Sequence, residues 1–139
     1  MSHDDELLEP MRVPWDPDFE IGHALIDAQH QGLLAQCEAL AALIVAADED
    51  QAGDGFGQAV EHFKALVRQH FDSEAAVLLE RGCNDLGDHD DEAADFEVLV
   101  NDVATTRHFD RLELQRFLAV WSLGHVAGSV AVLRSLGGR

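Results

Sequence analysis

The chain lacks tyrosine altogether, and it is poor in proline, with three, and in cysteine, with two. Nine lysines and arginines stand against 27 aspartates and glutamates. Each shortage excludes something. The missing cations leave a formal charge of -18. A surface this acidic repels phosphate backbones and anionic headgroups, so neither nucleic acid nor a membrane is expected as a partner. Cys37 and Cys83 have no CxxC spacing, which removes zinc-knuckle and thioredoxin motifs. A disulfide between them stays open at this stage. Scarce threonine and absent tyrosine, beside abundant alanine and leucine, favour helix over strand. The segment Met1–Glu9 is polar and acidic and lacks the basic and apolar regions of a signal peptide. No apolar run is expected to reach membrane-spanning length, and the protein reads as cytoplasmic.

What is present suits one domain. The length of 139 residues and a hydrophobic share of 47% can fill a single core. Pro10, Pro14 and Pro17 disfavour helix near the start, so residues 1–21 read as an arm, with Trp15 and Phe19 able to dock it. The rest, 22–139, reads as four amphipathic helices in one bundle. The first is expected over Gly22–Ala47, with Ile26, His30, Leu33, Leu34, Cys37, Leu40, Ala41 and Ile44 on one stripe. Acids and glycines in Asp48–Gly55 are expected to break it. The second is expected over Phe56–Arg81, with a stripe through Phe56, Val60, Phe63, Leu66, Val67, His70, Glu74, Val77 and Leu78, and Gly82 as its stop. The third opens between Asp85 and Asp88 and runs to Arg107, its stripe being His89, Ala93, Phe96, Leu99, Val100 and Val103. The fourth follows Asp110, which with Glu113 resembles a capping box. Its stripe is Leu114, Phe117, Leu118, Trp121, His125, Gly128 and Val132, and Gly137 and Gly138 end it. Short connections between such helices imply an all-α, antiparallel up-down four-helix bundle, expected to be a monomer.

Every stripe carries a histidine: His30, His70, His89 and His125. Glu74 lies one turn after His70, so the two side chains address the same spot. A single histidine on an apolar stripe is ordinarily a satisfied core residue. One on each of four helices, with a carboxylate beside one of them, is hard to explain by packing. A buried acid needs a partner or a metal. Imidazole with carboxylate suits iron, manganese or zinc. His3, His23 and His108 read as solvated, and His62 as only partly on the face of His70. A ferritin-like site would need two Glu-x-x-His motifs, and Glu20-Ile21-Gly22-His23 is a lone example at a helix start.

These motifs resemble the hemerythrin family, in particular its bacterial single-domain members. The resemblance is carried by Trp15-Asp16, Ile26-Asp27-Ala28-Gln29-His30, His70-Phe71-Asp72-Ser73-Glu74, His89, Phe96 and Trp121-Ser122-Leu123-Gly124-His125. It implies a non-haem di-iron centre that binds dioxygen, with His30 and His70 on one iron, His89 and His125 on the other, and Glu74 as a bridge. Two positions depart from the family pattern. Ala93 stands where the family has a third histidine, and Val130 where it has a bridging aspartate. Neither can ligate, so one or two iron ions are implied, the second held weakly or not at all. Glu97, one turn beyond Ala93, is a possible substitute ligand.

The function implied is binding of dioxygen or another small diatomic ligand, for carriage or sensing, rather than an enzyme. Metal-dependent oxidase or peroxidase chemistry, which open coordination positions permit, is the alternative. A degenerate bundle without metal is a third. Restoring the lost donors through Ala93→His with Val130→Asp should raise metal content toward two ions per chain and strengthen the optical band in air. A double variant that takes up no metal would favour the degenerate bundle.

Overall fold

The computed structural model describes residues 9–46, 49–105 and 111–137, and it is all-helical with no strands among them. We label the helices α1 (Ala24–Ala46), α2 (Glu49–Glu80), α3 (Gly87–Thr105) and α4 (Arg111–Gly137). A short 3-10 turn, Pro17–Phe19, precedes them, with Asp16 capping it through a hydrogen bond from Asp18 N.

Helix boundaries follow local chemistry. α1 starts at Ala24 rather than Gly22, because Gly22 holds φ +85, a left-handed conformation outside any helix. His23, expected to be solvated, is half-buried and accepts a hydrogen bond from Ile26 N through Nδ1 at 3.3 Å, capping the helix. α2 begins at Glu49, not Phe56, so most of the expected break Asp48–Gly55 is helical. Glycine in a helix costs about 1 kcal/mol against alanine, which is a penalty and not a prohibition. Gly82 stops α2 at φ +91, with Cys83 N bonded to Leu78 O at 2.9 Å and Gly82 N to Leu79 O at 3.1 Å. Arg107, His3, His108 and the Asp110 part of the capping box lie outside the described residues.

Cross-helix contacts pair in reverse order along α1 and α2. Gln36 reaches Ala59 O at 3.0 Å, while Gln29 reaches Ser73 at 3.0 Å. The order is also reversed between α2 and α3, where Arg68 meets Glu97 and His89 meets Glu74. A main core includes Leu33, Leu40, Phe56, Phe63, Phe96, Val100, Leu114 and Leu118. A smaller cluster of Ile26, Val77, Leu78 and Leu133 lies beyond His30, Glu74 and Ser129 in chain order, so a polar layer separates the two. Gly128 and two large stripe residues differ from expectation. Leu99 and Val132 are exposed, at 46% and 49%. Both sit at the edge of their helix's inward arc, where a 3.6-residue period does not decide burial alone.

α4 also corrects the sequence reading on membrane-spanning length. Arg111–Leu136 is long and apolar enough to cross a membrane by length and composition, with a mean hydropathy of 1.4 in its most apolar window. Its inward face nevertheless carries the buried polar residues Gln115, Ser122, His125 and Ser129.

The segment before α1 is tied down by side chains. Gln115, fully buried, accepts from Met11 N at 2.8 Å and donates to Met11 O at 2.8 Å and to Cys37 O at 3.1 Å. Glu38 accepts from Val13 N at 2.8 Å and from Arg12 at 2.7 Å. Asp27 accepts from Ile21 N at 2.9 Å and Gly22 N at 3.0 Å. Val13 is thereby buried to 2% exposure. Burial pushes the Glu38 carboxyl up, but the hydrogen bonds from Arg12 and Val13 and the Arg12 charge outweigh it. Glu38 therefore titrates below its ordinary value. Its contribution to docking is complete above the ordinary carboxylate range and is lost as pH falls through the lowered value. An acid titration followed by the Val13 amide resonance should show release at lower pH than a free glutamate titrates, with no such step in Glu38→Gln. Gln115→Ala should destabilise the fold by about 1–3 kcal/mol, because it strands buried backbone groups.

Candidate metal centre

Three helices bring four buried donors together. His30 comes from α1, His70 and Glu74 from α2, and His125 from α4. One ligand atom from each lies within 4.8 Å of all the others. His70 Nε2 is 3.1 Å from His30 Nε2, 3.0 Å from His125 Nε2 and 3.1 Å from Glu74 Oε2. His89, from α3, stands slightly apart and reaches only the other carboxylate oxygen, with Nε2 3.0 Å from Glu74 Oε1. All five residues expected at one internal site are thus together. Their grouping differs from the resemblance, since His125 joins His30 and His70 instead of His89.

The outer nitrogens explain why the rings point inward. Glu92 accepts from His125 Nδ1 at 2.8 Å. A carboxylate can only accept, so Nδ1 carries a proton and Nε2 is the nitrogen turned inward. Gln29 Oε1 lies 2.8 Å from His70 Nδ1, while its amide nitrogen donates to Ser73 Oγ, which gives His70 the same tautomer. His30 Nδ1 has no hydrogen-bond partner among the described residues. Ser129 donates a short hydrogen bond to Glu74 Oε2. Phe71 and Trp121 close the site: the Trp121 ring stacks on His125 at 5.2 Å and 3°.

The electrostatics of this cluster suit a cation. Burial alone would raise the Glu74 carboxyl, but its contacts with His30, His70 and His89 and the nearby His125 hold it well below the usual range. Burial lowers His70, outweighing the pull of Glu74 and aided by the neighbouring histidines, so the ring is neutral near pH 7. Glu74 is 2% exposed, and among the described residues its partners are histidines and Ser129, with no lysine or arginine. Two ring nitrogens 3.0 Å apart beside an anion need a proton or a positive ion between them. The donors therefore fit a metal, and the group could hold one ion.

The other expected positions are accounted for. Ala93 is half-buried and packs on the core, and Val130 is buried. Glu97 is a correction. Both of its oxygens bind Arg68 on the outside, at 3.0 and 3.3 Å, so it is not a substitute ligand in this structure. Arg68 holds that carboxylate through a two-point guanidinium contact at the surface. His62 is exposed, away from the cluster. Both cysteines are free, and burial, with a smaller push from Glu38, raises the Cys37 thiol to about 11 against the opposing Ser122 contact. Three contributors went unanticipated: Glu92, Gln29 and Ser129. Glu92 and Ser129 stood three and four positions from a candidate ligand on the same helix, whereas Gln29, beside His30, serves a ring on the neighbouring helix.

Glu92→Ala and Gln29→Ala should each weaken metal affinity about ten- to a hundredfold while leaving helix content unchanged, as measured by chelator competition and circular dichroism. Equal affinity in both variants would mean that the outer hydrogen bonds do not position the rings. Set against protein-family models, curated proteins and solved structures, the chain matches none.

Proposed function

We propose that this chain is a non-haem iron protein of the hemerythrin type with an altered site, one that binds dioxygen or a related diatomic ligand for carriage or sensing. The carrying observation is the convergence of His30, His70, Glu74 and His125, fully or nearly buried, on a single point. Three imidazoles and one carboxylate, with no lysine or arginine on that carboxylate among the described residues, suit one divalent ion. The reverse pairing of successive helices supports the up-down path that such a bundle uses. We read the chain as a single cytoplasmic domain.

Iron held there supplies the electron density that a diatomic ligand needs in order to bind. The chain's own residues do the rest. Glu74 provides the compensating charge. Gln29 and Glu92 fix the His70 and His125 rings. Phe71 and Trp121 keep bulk water from that side. Ala93 and Val130 withhold the donors a second ion would need, which favours one ion per chain over two.

Protein isolated without added metal should contain close to one iron per chain and show an optical band in air that dithionite removes. Saturating metal at a thousand times its Kd should raise stability by about 4 kcal/mol, and Glu74→Gln should abolish most of that gain. Two tightly held irons, or zinc alone with no response to air, would overturn the reading.

A further inference from the structure

A cavity of about 330 Å³ opens from the surface onto one side of the donor cluster. Its buried floor is Glu74, His125, Ser129, Leu78 and Leu133. A diatomic ligand needs little more than the roughly 30 Å³ share of one water. The space is therefore several times too large for such a ligand, and it falls in the range of pockets for small organic molecules, which starts near about 300 Å³.

Two further observations show how the space is kept open and what it would accept. Gly124 and Gly128 lie one turn apart on α4 and both line the cavity. A Cβ added at either would meet nothing within 4 Å, so no neighbour requires glycine there. Each glycine inside a helix costs about 1 kcal/mol against alanine, and what the pair leaves is room. The second observation is charge. Asp85 and Asp88 at the exposed rim and half-buried Glu92 line the cavity, and no lysine or arginine does. The floor between them is partly apolar through Leu78, Leu86 and Leu133.

We propose that this cavity binds a small organic cation, a compact hydrocarbon amine, with its ammonium among Asp85, Asp88 and Glu92 and its hydrocarbon frame against Leu78, Leu86 and Leu133. The inference rests on the metal reading only for what the inner end of the ligand faces. A carboxylate of the same frame would meet like charge at the rim.

Cyclohexylamine, cyclohexanol and cyclohexanecarboxylate, titrated separately into the isolated protein, test this at constant ionic strength. The amine should bind saturably and shift the Gly124 and Gly128 amide resonances. It should bind at least about tenfold more tightly than the carboxylate, with the alcohol between them. It should also slow alkylation of Cys83, the half-buried thiol on the cavity wall, whereas Cys37 is buried and should be unaffected. Gly128→Leu should fill the space and abolish binding without changing metal content. Metal content and amine binding are read separately, so an amine that binds a metal-free protein would sink the iron reading and leave this one standing. No saturable binding by the amine, a carboxylate that binds as well, or unchanged binding in Gly128→Leu would overturn the proposal. Should Gly128→Leu fail to fold, the Cys83 protection measurement decides in its place.

Discussion

A carboxylate buried among imidazole rings sets the terms for this molecule. Glu74 is nearly inaccessible, ionised, and without a lysine or arginine partner among the described residues. In a low-dielectric core such a charge is costly unless it is compensated. Histidines from four helices turn toward it, and the hydrogen bonds behind His70 and His125 fix which nitrogen faces inward. The helices are thus held in register by a polar layer as well as by the apolar clusters on either side of it. Packing tolerates small shifts, but a set of converging donors does not.

The helices and the principal donors were legible because both announce themselves by spacing. Within Ile26-Asp27-Ala28-Gln29-His30 each named side chain has a separate task. Ile26 packs, Asp27 holds the chain before the helix, Gln29 orients His70, and His30 is a donor. His70-Phe71-Asp72-Ser73-Glu74 divides in the same way, with Ser73 bracing Gln29 across the helix pair. Only the donors could be read directly. The bracing residues depend on which helix lies opposite, and that is a tertiary fact.

The same distinction explains the errors. The glycines before Phe56 looked like a break, yet the helix continues through them, since propensity is a modest penalty beside the packing of a long helix. Glu97 lay at the right distance along its helix to replace the missing histidine, but Arg68 on the neighbouring helix took its carboxylate. Glu92, two residues nearer the helix start than Ala94, reaches the far side of His125. Angular position on one helix does not reveal what a partner helix offers.

Trp121 is half-buried, lies parallel to the His125 ring and touches Phe96 at 4.4 Å between centroids. The chain holds only one other tryptophan, Trp15, in the segment ahead of the first helix. An indole stacked face to face on a donor ring is a fluorophore in electronic contact with whatever that ring holds. Were a metal held there, the indole emission would vary with the occupancy of the site, an intrinsic optical gauge of loading.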